Sequence, residues 1–104
     1  MTDRPGATTA TEEILRTLRA YLSELRLQHG VNTLELFGSY ARGDQVHGSD
    51  LDLLVEFDRT PSLFEFVDLQ YHLSDLLGVK VDLVMKDALK PDLAPFILED
   101  RILV

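Results

Sequence analysis

Four residues near the middle of the chain have the types and spacing that phosphate chemistry requires: Gly38 and Ser39, then Asp50 and Asp52. A glycine at a strand end lets the backbone approach a ligand closely, and the amides that open the following turn can face a phosphate. The Ser39 hydroxyl adds one more hydrogen bond. Arg42 lies one turn further on, where its planar guanidinium suits phosphate oxygens, although a solvated turn arginine looks the same in a sequence. Asp50 and Asp52 belong to the alternating run Asp50 to Phe57 (DLDLLVEF). Side chains alternate along a strand, so Asp50, Asp52, Leu54 and Glu56 share one face, with the two aspartates about 6–7 Å apart at the backbone. Leu51, Leu53, Val55 and Phe57 form the other face, which is wholly apolar and suited to a cover of helices.

A third carboxylate belongs with these if the topology is right. In Val79 to Met85 (VKVDLVM) the apolar face is Val81, Leu83 and Met85, and Asp82 lies opposite. If this strand runs parallel beside Asp50–Phe57, Asp82 approaches Asp50 and Asp52. Three such groups repel one another and raise each other's pKa, a conflict that a divalent cation removes. Oxygen ligands suit Mg²⁺, with Mn²⁺ as the alternative. Two ions about 3.5–4 Å apart serve phosphoryl or nucleotidyl transfer. One ion on Asp50 and Asp52 carries nucleotide phosphates; the other, shared with Asp82, acidifies an acceptor hydroxyl. Asp82 is also the candidate to orient the acceptor or take its proton. An acidic alternating strand alone is only the wet face of a sheet; Gly38-Ser39 decides between the two readings. Glu56 is read as a surface residue over a metal ligand, and His47 as a plain loop histidine over a substrate contact, with His29 and His72 alike. Lys80 and Lys86 are read as solvated over phosphate-neutralising, and Tyr40 as packing over positioning a base.

The elements that must position these residues follow from periodicity and caps. Residues 1–8 read as a loose polar tail and 9–104 as one domain. Thr9 and Glu12 form a capping-box pattern, with Ile14, Leu15, Leu18, Tyr21, Leu22 and Leu25 at helical spacing and Gly30 as the stop. Thr33 to Phe37 is a short strand, Tyr40 to Gly43 a helical turn, and Asp44 to Ser49 a polar turn. Thr60 as N-cap and Pro61 as first residue open a helix over Ser62 to Leu77, with Phe64, Val67, Tyr71 and Leu76-Leu77 as its apolar side. After Lys90-Pro91 comes a short helical piece to about Glu99, then a terminal run that ends in Val104. The short link between the first two strands favours antiparallel pairing, and the strand-helix-strand unit up to Met85 permits a parallel pair. The expected fold is α/β (α+β), a small mixed β-sheet with helices on one face, in the order α-β-(turn)-β-α-β-α.

Composition narrows the function. The 104 residues carry ten basic and eighteen acidic side chains, a net charge of −8, with no cysteine. Nucleic-acid binders cluster Lys and Arg, so direct nucleic-acid binding is not expected. The longest apolar runs are a few residues, so no membrane span is expected, and the cysteine-free chain suits a cytoplasmic protein.

The set Gly38-Ser39, ten residues, then Asp50-Leu51-Asp52 resembles the G-S-x10-D-x-D signature of the polymerase-β-like nucleotidyltransferase superfamily. The flanking Leu36 to Asp44 and Gly48 to Leu53 are similar to its minimal nucleotidyltransferases (MNT), the MntA-type antitoxins paired with HEPN-domain toxins. Val81 to Val84 matches where that family places its third carboxylate. The resemblance spans roughly residues 10 to 104, with no departure at the motif positions. It implies catalytic and metal-binding roles for Asp50, Asp52 and Asp82, and nucleotide binding by Gly38, Ser39 and Arg42. It also implies two Mg²⁺ ions, ATP as donor, and transfer of AMP to a hydroxyl of a HEPN toxin. Larger relatives carry a second domain that binds the acceptor; here about twenty residues follow Met85, so the acceptor is expected on a partner protein. The C-terminal residues Leu93, Phe96, Ile97, Leu98, Ile102, Leu103 and Val104 either dock that partner or close the core. Two other readings stay open: an antitoxin that acts by occlusion without catalysis, and a stand-alone transferase to a small-molecule hydroxyl.

Overall fold

The computed structural model describes residues 9–89, 91–92, 95 and 99–104. The expected tail over 1–8, most of the expected helical piece after Lys90, and Leu93, Phe96, Ile97 and Leu98 lie outside the described residues. Helix α1 spans Ala10–His29, strand β1 Val31–Phe37, helix α2 Ser39–Arg42, strand β2 Leu51–Phe57, helix α3 Leu63–Leu77 and strand β3 Val81–Met85. A 3-10 turn, Lys86–Ala88, and a two-residue strand β4, Ile102–Leu103, complete the set. The four strands form one mixed sheet in the order β3-β2-β1-β4. β1 is antiparallel to β2 and to β4, and β2 is parallel to β3 through the crossover helix α3.

The helix boundaries come from local hydrogen bonding. The Thr9 hydroxyl accepts from the Glu12 amide at 3.0 Å and opens α1. α3 opens at Ser62 rather than at Thr60-Pro61: the Ser62 hydroxyl accepts from the Glu65 amide at 3.2 Å while the Glu65 carboxylate accepts from the Ser62 amide at 2.8 Å. This reciprocal box satisfies two end donors at once and outcompetes an isolated cap two residues earlier. α1 and α3 end at Gly30 and Gly78.

The buried faces correct two expectations. On α3 the core side is Leu69 and Leu73, with Phe66 and Leu77 packed against it, whereas Phe64 and Tyr71 are exposed. Both stripes have helical spacing, so periodicity alone could not choose between them; contact with the sheet does. On α1, Ile14, Leu15, Leu18 and Leu25 are buried and Tyr21 points outward. On β2, Leu51, Leu53 and Val55 are inaccessible as expected, and Leu54 on the opposite face is buried as well. Each fully buried side chain of this size contributes roughly 1.5–3 kcal/mol.

The other face of the sheet carries polar groups as well as apolar ones. The register puts Phe37, Asp52 and Asp82 in one row, Glu35, Leu54 and Val84 in the next, and Thr33 beside Glu56. Glu35 is buried, and each of its carboxylate oxygens takes a cation: Lys86 Nζ at 3.2 Å on Oε1 and Arg101 Nε at 3.3 Å on Oε2. Lys86 also lies 3.7 Å from Glu56, which accepts from the Thr33 hydroxyl at 2.8 Å. This ionic belt joins the residue after β3 to the residue before β4 across the sheet. Lys86 and Glu56, expected to be solvated, are thus engaged across the sheet. Ile102 and Val104 pack against the core while Leu103 is exposed, so this last stretch closes the sheet edge.

Candidate active site

Gly38 ends β1 in a conformation (φ 75°, ψ −153°) open essentially only to glycine. A second constraint comes from its neighbour, because a Cβ at position 38 would collide with the Asp52 carboxylate. The backbone of the first motif half is therefore in contact with the side chain of the second. α2 begins at once: the Arg42 amide returns to the Gly38 carbonyl and the Asp44 amide to the Ser39 carbonyl. Tyr40 is buried in the core, as expected for packing, and the Thr11 hydroxyl holds the Tyr40 carbonyl at 2.7 Å, which fastens α2 to α1.

The carboxylates come from three places. Asp52 lies in β2 opposite Phe37 and directly beside Asp82 of β3. Asp50, expected inside the strand, precedes it: β2 starts at Leu51, whose amide bonds to the Lys80 carbonyl. Asp50 is exposed, and Lys80 Nζ stands 3.9 Å from its Oδ2. Asp82 is exposed on the edge strand. Among the described residues, no three His, Cys, Asp or Glu side chains are already drawn together as a metal-holding group.

Electrostatics nonetheless ties the three into one unit. The Asp52 carboxyl is pushed above its ordinary value of 3.8, first by burial, then by the negative charges of Asp82 and Asp50, with Arg42 opposing. Asp52 is thus the centre of the constellation and the group with the most to gain from a cation. Hard carboxylate oxygens, one of them desolvated and repelled by its neighbours, are a donor set that Mg²⁺ or Mn²⁺ fits. Arg42 acts on Asp52 from a distance; its own Nε is held by Asp44 at 3.1 Å.

The remaining polar candidates fall elsewhere. His47 is exposed in the turn after α2. His29 and His72 stack on each other at 5.4 Å between ring centroids. They lie toward the Phe57 end of β2, where the Asp58 amide bonds to the Gly30 carbonyl, away from the carboxylates. Asp50 and Asp82 are exposed and Asp52 is half-buried. A hollow of about 440 Å³ borders Arg42 and Gly43, yet none of the three aspartates lines it.

A mixed sheet with helices on one face, a glycine-serine turn after its first strand and paired aspartates on the next two define a nucleotidyltransferase. The nucleotidyltransferase domain model matches residues 15–104 of this chain. The chain belongs to that family and is a nucleotidyltransferase. It is 45% identical over 93 residues to the protein adenylyltransferase MntA of Thermococcus cleftensis, covering 89% of this chain and 94% of that protein. Among solved structures it resembles one described as a minimal nucleotidyltransferase, with TM-score 0.73 and 37% identity over 93% of this chain and 97% of the other. It also resembles a chain from a toxin-antitoxin crystal structure with AMP-PNP, with TM-score 0.65 and 25% identity over 89% of this chain and 70% of the other.

Proposed function

We propose that this protein transfers AMP from ATP to a hydroxyl of a partner protein, a HEPN-type toxin, and acts as its antitoxin. The observation that carries the chemistry is the contact of the Gly38 backbone with the Asp52 carboxylate, beside Asp82 in register. It joins a phosphate-facing turn to a cation-demanding carboxylate pair. A protein acceptor is supported by the adenylyltransferase relative, and a toxin partner by the toxin-antitoxin neighbour together with the MNT resemblance.

In this reading Gly38 and Ser39 face the triphosphate, with Arg42 adding positive charge at the same end of the sheet. Asp50, Asp52 and Asp82 would hold the divalent cations, Mg²⁺ or Mn²⁺. When bound, the ions neutralise charge on the phosphates and lower the pKa of the attacking hydroxyl. Asp82 orients that hydroxyl or accepts its proton. The acceptor oxygen forms a bond to the α-phosphorus and pyrophosphate leaves with the electrons of the broken phosphoanhydride bond. A cysteine-free acidic chain suits a cytoplasmic setting, and no described helix is long and apolar enough to cross a membrane.

The test incubates the protein with its HEPN partner, ATP and Mg²⁺ and weighs the partner by mass spectrometry. One or more AMP adducts are expected, absent with EDTA and with Asp50→Asn/Asp52→Asn. No adduct, or an adduct indifferent to the double substitution, contradicts the reading. Toxin neutralisation retained by the double variant identifies occlusion as the mechanism instead.

A further inference from the structure

Asp82 has a weak hold of its own. It is exposed, and it stands in a five-residue strand at the edge of the sheet, paired on one side only. An edge strand leaves a row of backbone groups without ladder partners, and its ends fray readily. Two side chains of α3 supply what the missing neighbour would. The amide of Val81 donates to Ser74 Oγ at 3.1 Å, and the amide of Leu83 donates to Gln70 Oε1 at 3.0 Å. These are the residues immediately before and after Asp82.

The clamp is itself built to be rigid. Gln70 and Ser74 are four residues apart, hence on one face of α3. The Ser74 hydroxyl donates to the Gln70 carbonyl at 3.0 Å, which leaves its lone pairs directed at Val81. Leu69 and Leu73, adjacent to the pair, are fully buried and anchor this face of the helix to the sheet. Core packing thereby reaches the two peptide units that flank the exposed carboxylate. Ordinary edge protection needs only charge or a bulge; here the bonds fall on both sides of one aspartate.

We propose that Gln70 and Ser74 are positioning residues for Asp82: by fixing β3 on either side of it, they keep it in register beside Asp52, the residue with which it would share a divalent cation. The inference rests on the reading of these carboxylates as the metal and nucleotide site. Residues that orient a ligand are worth about 10–100-fold in metal affinity or activity.

The test uses the full chain with Mn²⁺ as the probe. Mn²⁺ affinity is measured by electron paramagnetic resonance without nucleotide, and AMP transfer is measured separately. Gln70→Met keeps the side-chain length but loses the acceptor, Gln70→Glu restores an acceptor oxygen, and Ser74→Ala removes the hydroxyl. Gln70→Met/Ser74→Ala is expected to weaken Mn²⁺ binding about tenfold and to lower kcat by a similar factor, with KM for ATP unchanged. Gln70→Glu should stay within about twofold of the parent. In an Asp82→Asn background the Met/Ala pair should add nothing further, because the group it positions is gone. Unchanged Mn²⁺ affinity in the Met/Ala variant overturns the proposal, as does a loss of equal size in the Asp82→Asn background or a wild-type protein that binds no Mn²⁺. If the Met/Ala variant fails to fold, Ser74→Ala alone, expected to lose severalfold in affinity, decides by the same comparison. Wild-type protein that binds Mn²⁺ yet transfers no AMP refutes the adenylyl-transfer reading and leaves the Mn²⁺ comparison to decide on the clamp.

Discussion

Asp52 shows how a functional group is held against its own preference. Burial and two neighbouring carboxylates raise its pKa, so the folded protein binds this proton more tightly than the unfolded chain does. Its contribution to stability is therefore neutral below the ordinary value of 3.8 and turns unfavourable as pH rises through the raised value, with the full penalty present at neutrality. Asp52→Asn is expected to raise Tm at pH 7 without metal, with no gain at pH 3, while it abolishes transfer; differential scanning fluorimetry at both pH values checks the sign. Added Mg²⁺ should raise the Tm of the wild type and not that of the variant. Glu65 is the converse case, since the Ser62 backbone amide and hydroxyl lower its pKa.

Elements differ in how openly the sequence declares them. The strand Asp50–Phe57 could be read almost intact because one face had to be apolar and the other carried two aspartates; the structure moved only its start, to Leu51. Asp82 could be placed beside Asp52 because a crossover helix makes the two strands parallel. The start of α3 is ambiguous in sequence because Thr60-Pro61 and Ser62-Glu65 are both good openings, and only the second makes the reciprocal bonds. Its buried stripe is equally ambiguous, because two apolar stripes share the same helical spacing. The Gln70-Ser74 clamp was invisible, since two polar residues on a helix reveal nothing until the strand amides they meet are located. Ser62→Ala should cost about 1 kcal/mol and lower Tm by about 4–8 °C, measured by thermal unfolding at pH 7. Ser62→Asp should recover most of it.

At the scale of the whole molecule, two cations bridge the edges of the sheet through one buried carboxylate. Glu35 accepts Lys86 and Arg101 on separate oxygens and so ties the segment after β3 to β4, the strands at opposite edges of the sheet. Removing Glu35 leaves Lys86 with Glu56 and Arg101 with solvent, so the cost is discounted to the low end of the about 1–3 kcal/mol of a fully buried orphan. Glu35→Ala should therefore lower the urea midpoint with little change in slope, and Glu35→Gln should lose less because it still accepts hydrogen bonds. An unchanged midpoint would show that Lys86 and Arg101 find solvent as readily as they find Glu35.

The close approach of Gly38 to Asp52 also sets what substitution can explore. Position 38 is restricted twice, by its backbone conformation and by the carboxylate that occupies the space of a side chain. In a random library screened only for soluble, folded protein, position 38 should still return glycine, whereas position 52 should accept small neutral residues freely. Screened for transfer, both positions close. The two halves of the motif thus look equally invariant under selection for activity, and only a fold-level screen separates the residue demanded by shape from the one demanded by chemistry.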